Sequence, residues 1–382
     1  MKSSRCLLVI TTSFPKNGDG SESAGSFVAD LVEALAQYLP VRVVAPGPVD
    51  VVEIASTNLK IYRYRSPDKP LSTLQASRPW EALAIVSTLR AGMRAASLAA
   101  SDGCVTYCLA LWALPSGFWA NHLLRKHGIP YSVWMLGSDV WSLGRIPLVR
   151  RVLARVMQKA DRRFADGLLL AEDSEAICGL PVEFLPSTRN MQLRRQKPLA
   201  VGPPYRLLFL GRWHPNKGPD LLLEALAMLK ELDWARIAQV DIFGGGAMAS
   251  YIDGEAKRLI KAGRPITVGG FLDKKSAERV ICDADYLVIP SRIESIPVVF
   301  SDALKLGCPV ICNPVGDLSR IVPDWGVGFC ADAVSASALC TALQRALSTP
   351  PATFVHALEV AAEKFSLHST VCPKILSLLS DF

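Results

Sequence analysis

Arg212 and Lys217 stand five positions apart in the stretch GRWHPNKG, between an apolar run, YRLLFLG, and a helical pattern, PDLLLEALAM. Both therefore fall in a loop at the end of a strand. Arginine offers a planar fork of donors and lysine a mobile point charge. Together they suit a diphosphate, and two ordinary surface cations are the plainer alternative. Further on, PSRIESIPVVFSDALKLGCPVI puts Glu294 just after the strand pattern DYLVIP, with Asp302 eight positions later. Pro297 is read as opening a helix over VVFSDALKLG, because its missing N–H costs nothing in a first turn. The unpaired N–H groups of such a helix start favour an anion, which makes Ile296, Pro297 and Val298 candidate contacts. Glu294, ahead of the helix, can accept hydrogens from hydroxyl groups. Asp302 is expected on the same rim, with a helix cap or a satisfied surface acid as the alternative. Gly244 and Gly245, in FGGG at the end of IAQVDIFGGG, let a ligand approach the backbone closely. They lack the spacing of a dinucleotide fingerprint.

The first half supplies a second group of candidates. Gly25 and Ser26 precede the helical pattern SFVADLVEALAQYL and follow a polar loop, PKNGDGSESAG, which is otherwise read as a plain surface loop. Ser138 and Asp139 follow the strand pattern PYSVWMLG, where Asp139 is either a ligand contact or a helix cap. From Arg145 to Arg163 the chain holds seven Lys/Arg against one acid, Asp161. Helical spacing aligns Leu148, Val152 and Val156 along one apolar side of this segment. Its basic face is either plainly solvated or a surface for anionic lipids.

These residues need elements to hold them. Apolar runs alternate with helical patterns throughout. CLLVITTSF, VRVVAPG, CVTYCLA, PYSVWMLG and GLLLA read as strands of the first half; YRLLFLG, IAQVDIFGGG, ITVGG, DYLVIP and PVICN read as strands of the second. That rhythm predicts mostly parallel sheets with helices on both faces. The expected division is 1–186 as a first Rossmann-like domain, 187–204 as a linker and 205–350 as a second such domain. Residues 351–382 are expected to form C-terminal helices crossing back to the first. Ligands of open α/β sheets bind beyond the carboxyl ends of the strands, and a cleft between two such domains is the expected location.

Composition narrows the classes. The chain has 382 residues, half of them hydrophobic and 20% charged, which suits two cores and argues against disorder. No apolar run is long enough to suggest a membrane span. MKSSRCLLVITTSFP reads as a first buried strand and not as a signal peptide, so a cytoplasmic location is expected. The ten cysteines occur singly, without CxxC spacing, and read as reduced core residues. Five scattered histidines suggest no metal site. The net charge of +7 is uneven: residues 1–200 hold 24 Lys/Arg against 16 Asp/Glu, and the remainder hold 18 against 19. No aromatic platform or motif points to nucleic acid.

Taken in order, GRWHPNKG, FGGG and PSRIESIPVVFSDALKLGCPVI resemble the retaining glycosyltransferases of family 4, which have the GT-B fold. The resemblance covers essentially the whole chain and is strongest in the second domain. It implies two Rossmann-like domains facing each other across a cleft. It passes diphosphate binding to Arg212 and Lys217, contact with the transferred sugar to Glu294, and the ribose contact to Asp302, where the family usually has Glu. It implies that Gly25 and Ser26 approach the donor, and that Ser138 and Asp139 are the acceptor-side contacts. LWALPSGFWANHLLRKHGIPYSVWMLGSDVW matches a subgroup pattern, but two positions where relatives often carry histidine are Leu111 and Leu136.

The resemblance thus implies retaining transfer of a hexose from a nucleotide diphosphate sugar, UDP- or GDP-linked, to a hydroxyl of a glycan or lipid-linked glycan. Arg212, Lys217, Glu294 and Asp139 are its expected catalytic residues. No cofactor and no metal are expected, and the chain could sit peripherally on the inner face of the cell membrane. The alternative, motivated by Leu111 and Leu136, is a weak or inactive sugar-nucleotide or membrane-surface binding protein of the same fold.

Overall fold

The computed structural model describes residues 5–15, 25–67, 74 and 77–379. The loop 16–24, which holds most of PKNGDGSESAG, lies outside them. The chain forms two compact units: Met1–Ser187 with Leu367–Phe382, and Thr188–Ser366.

The first unit is built on an eight-stranded sheet of β1 (Cys6–Ile10), β2 (Val41–Gly47), β3 (Val51–Ser56), β4 (Leu59–Arg65), β5 (Val105–Leu111), β6 (Tyr131–Met135), β7 (Arg163–Ala165) and β8 (Glu183–Phe184). The order is β3-β4-β2-β1-β5-β6-β7-β8, and every pair is parallel except β3 with β4. β1 and β6 are buried along their whole lengths, which is why they read as unbroken apolar runs. One face packs against the helices Pro79–Ala99, Phe118–His127 and Pro147–Lys159. The other packs against Ser26–Ala36 and the C-terminal segment through Val371, Cys372 and Ile375.

The second unit has six parallel strands: β9 (Tyr205–Arg212), β10 (Ile237–Gly245), β11 (Ile266–Gly269), β12 (Tyr286–Ile289), β13 (Val310–Cys312) and β14 (Gly328–Cys330). Their order, β11-β10-β9-β12-β13-β14, reverses direction between β9 and β12. At such a switch point the two neighbouring connections leave on opposite faces and open a crevice at the carboxyl ends. Arg212 closes β9, and the loops holding Lys217 and Glu294 are the ones that leave these two strands.

Four readings of the sequence change. GLLLA is not a strand: Leu168–Cys178 is a helix that buries Leu170, Ser174 and Cys178 at four-residue spacing, and the strand is the preceding Arg163–Ala165. A short apolar run cannot separate the two by itself. The hairpin β3–β4 escaped the periodicity reading. The segment read as a linker is largely fastened to the second unit: Gln192 and Leu193 N–H donate to Glu278, and Arg195 donates to the carbonyls of Ile281, Ala284 and Leu306. The helix Val355–Lys364 also stays with the second unit, where Phe365 meets Phe300 edge to face at 5.9 Å, and the chain joins the first unit only from Leu367.

Candidate functional site

Arg212 is the last residue of β9, paired across the ladder with Gly245 of β10, while Gly244 pairs with Gly211. Trp213 N–H donates to the Gly245 carbonyl at 2.8 Å, joining the GGG end to the Arg212 loop. Pro215–Lys217 then forms one tight turn, capped by His214 Nδ1, which accepts from Asn216 N–H at 3.2 Å. Gly218, at φ +65°, sends the chain into the helix Pro219–Met228; a Cβ there would lie 2.0 Å from the Pro290 carbonyl oxygen. The β9 loop therefore lies against the end of β12, and only glycine fits the contact.

The β12 loop is fastened to it in return. Arg292 N–H donates to Asn216 O at 2.8 Å, and its guanidinium donates to Pro215 O at 2.7 Å. The same guanidinium makes a fork with Asp220 at 2.9 and 2.7 Å, which holds the Asp220 carboxyl below its ordinary range despite partial burial. Below the loop, buried Asn313 donates to the carbonyls of Pro290 and Ser291 at 2.9 and 3.3 Å. These ties bring together residues far apart in sequence: Lys217 Nζ donates to Glu294 Oε1, which also accepts from Ser291 Oγ at 3.2 Å. Arg212 is exposed, and Lys217 and Glu294 are half-buried. Ile296 and Pro297 are buried behind Glu294, and Val298 starts the helix Val298–Lys305. One rim thus presents two cations, a carboxylate, a glycine-rich strand end and a helix start.

Asp302 does not join that rim. Its carboxylate is fully buried and accepts from Arg189, while Lys305 Nζ lies 3.7 Å from its other oxygen. Lys305 in turn donates to Thr188 Oγ1 at 2.5 Å and to Arg189 O at 2.6 Å. Here Asp302 is a buried ion-pair residue that fastens the start of the second unit to a helix.

In the first unit, Gly25 (φ +83°) accepts from Val28 and Ala29 at the start of the helix Ser26–Ala36. Ser138 is exposed at the start of a short turn of helix. Asp139, beside it, turns inward. It is 1% exposed and accepts from Ala113 N–H at 2.7 Å and Leu136 N–H at 3.3 Å. Burial pushes its carboxyl up to about 6, against the pull of those amides. Asp139 therefore fixes the turns after β5 and β6, and is not offered to solvent as the sequence suggested. Leu111 is fully buried in the core and Leu136 packs against it.

The basic helix also differs from expectation. Leu153, Val156 and Met157 face the core, while Leu148 (73%), Val152 (37%) and neighbouring Ile146 (50%) are exposed among Arg145, Arg150, Arg151 and Arg155. Only Val156 of the expected stripe is buried. The apolar residues at this end are divided between core and surface, which spacing alone does not resolve.

Residues 190–364 match the family model described as glycosyl transferases group 1. The chain has the GT-B fold. It is 30% identical over 172 residues to a D-inositol 3-phosphate glycosyltransferase of Corynebacterium aurimucosum, a match that covers 44% of this chain and 41% of that relative. The chain thus spans less than half the length of this curated relative. In structure it is similar to sucrose-phosphate synthase of Thermosynechococcus elongatus, with a TM-score of 0.73 and 21% identity over 99% of this chain and 98% of that one. It is also similar to Anabaena HepE solved in complex with UDP and glucose, with a TM-score of 0.69 and 14% identity over 99% and 100%.

Sequence reasoning missed Arg292, Asp220 and Asn313. The first two lie near the motifs, but nothing in their spacing says that they pair. Among the described residues, no group of three or more His, Cys, Asp or Glu is placed to hold a metal ion, and no helix is long and apolar enough to cross a membrane.

Proposed function

We propose that this chain transfers a hexose from a nucleotide diphosphate sugar to a hydroxyl of a glycan or lipid-linked glycan, with retention at the anomeric carbon. The reading rests on one observation: Lys217 pairs with Glu294 at the switch point of the second sheet, beside the strand end where Arg212 lies opposite Gly245. The similarity to group 1 glycosyltransferases supports it, as does the likeness to a structure holding UDP and glucose. Arg212 and Lys217 bind the diphosphate and stabilise the charge that grows on it as the glycosidic bond breaks. Glu294, held by Lys217 and Ser291, receives the sugar hydroxyls. The acceptor enters on the leaving-group side, and the departing phosphate takes its proton. Ser138 is the remaining acceptor-side candidate, positioned by buried Asp139, and Gly25 and Ser26 are donor-side candidates of the first unit. The donor nucleotide is UDP or GDP.

The test is a thermal-shift panel of nucleotides and nucleotide sugars on the parent chain, Arg212→Ala and Glu294→Ala. A diphosphate at about 100 times its Kd stabilises the folded state by about 2.7 kcal/mol. We expect that shift in the parent and its loss in Arg212→Ala. Glu294→Ala should keep the nucleotide shift but lose the extra shift from the sugar. A panel with no stabilising member, or equal shifts in parent and Arg212→Ala, refutes the donor assignment.

The exposed Ile146, Leu148 and Val152, set among arginines, support a peripheral location on an anionic membrane surface. Sedimentation with vesicles containing phosphatidylglycerol should be salt-sensitive and weakened by Leu148→Asp. Equal recovery with neutral vesicles refutes this reading.

A further inference from the structure

β13 and β14 end the second sheet, and their register sets Cys312 directly opposite Cys330. All ten cysteines are free. Cys312 is fully buried, whereas Cys330, on the edge strand, is half-buried. Cys330 lines a surface cavity of about 490 Å³ with Ser319, Pro323, Phe329, Asp332 and Arg345. The Arg345 guanidinium lies over the Phe329 ring, 5.3 Å from its centre. Cys330 Sγ lies 3.5 Å from the Ala331 carbonyl oxygen. Cys330 is drawn below the ordinary thiol range by its bond to Cys312, with Arg345 adding to the effect against burial and the Asp332 charge. Cys312 is pushed well above that range, by the same bond and then by burial. Elsewhere, burial pushes Cys6 and Cys372 up to about 11 and Cys308 up to about 12. A reachable thiol with thiolate character and a second thiol beside it is the arrangement that reacts with peroxide and then closes a disulfide. Neighbouring strands lie about 4.8 Å apart, within the roughly 4.4–6.8 Å between the Cα atoms of disulfides.

We propose that Cys330 and Cys312 form a peroxide-sensitive dithiol, in which Cys330 reacts first and Cys312 resolves it. The Cys330 thiolate attacks one oxygen of hydrogen peroxide and the O–O bond breaks. The departing hydroxide takes up the proton the thiol had released and becomes water, leaving a sulfenic acid. The Cys312 sulfur then attacks that sulfur and the S–O bond breaks. The hydroxide leaves with the Cys312 proton as a second water. Two electrons have passed from the thiol pair to peroxide, and one S–S bond has formed. The link sits one residue before Asn313, which holds the loop carrying Glu294.

The experiment uses the whole chain without nucleotide, so its outcome does not depend on the donor reading. Protein treated with hydrogen peroxide under native conditions is alkylated, digested and examined by mass spectrometry. A Cys312–Cys330 linked peptide is expected, with titratable thiols falling by two of the ten and recovering with dithiothreitol. In Cys312→Ser, dimedone should capture Cys330 as its sulfenic acid. Cys330→Ser should abolish the rapid phase of thiol loss. Oxidation of Cys330 with Cys312 still reduced overturns the proposal. So does thiol loss in Cys330→Ser as fast as in the parent, or a native chain whose Cys330 resists peroxide.

Discussion

Gly316→Ala tests whether the turn after β13 supports the loop that carries Glu294. Gly316 has φ +49°, and a Cβ built there would lie 2.2 Å from the Glu294 carbonyl oxygen and 2.5 Å from that of Ser295. Gly326 supplies the control, since its φ is +62° and its Cβ would meet nothing within 4 Å. An L-residue in the left-handed region costs about 1–2 kcal/mol, so Gly326→Ala should lose about that much. Gly316→Ala bears the same cost and adds overpacking against backbone, about 1–3 kcal/mol, for about 2–5 kcal/mol in all. The clash is with main-chain oxygens, so relief requires the Glu294 loop to move. The assay is thermal unfolding of both variants, at roughly 2–4 °C per kcal/mol for a unit of this size. It is paired with the shift produced by the stabilising nucleotide sugar. Gly316→Ala should melt lower than Gly326→Ala and show a smaller ligand shift. Equal melting of the two variants, with an intact ligand shift in Gly316→Ala, would refute the reasoning.

Asp139 predicts a pH dependence. Its folded carboxyl titrates near 6 against an ordinary 3.8, so the folded chain holds more protons than the unfolded chain between those values. The site's stability is then greatest below about 4 and falls by about 3 kcal/mol as pH rises past 6. Asp139→Asn should flatten that slope in denaturation curves taken from pH 4 to 7, and parallel curves for the two proteins would sink the assignment. Asp302→Ala leaves Arg189 and Lys305 without their buried partner and should cost about 3–5 kcal/mol of unfolding free energy. A loss under 1 kcal/mol with weakened nucleotide binding would instead favour the ribose role.

The alternation of strands and helices was legible because strands buried on both faces must be nearly all apolar, as β1 and β12 are. GRWHPNKG and PSRIES were legible because polar residues between such a run and a helix pattern must lie at the sheet's rim. GLLLA and the stripe Leu148, Val152, Val156 were misread because an apolar run does not state what lies on its other side. Leu153 and Met157 took the core positions that spacing assigned to Leu148 and Val152.

The sequence by itself determined which residues of the second unit would stand at or just beyond strand ends: local spacing fixes that, and Arg212, the last residue of its strand, and Lys217 and Glu294, in the loops, follow from it. Only the tertiary structure decided that Lys217 reaches Glu294 across 77 positions, and that Arg292 and Asn313 fasten the two loops. It also decided that Asp302 and Asp139 turn inward while Ser138 stays exposed. The physical reason is the same in each case. Whether a carboxylate meets a ligand, a buried arginine or two backbone amides depends on which distant segment packs over it, and strand order, not spacing along the chain, sets that neighbour.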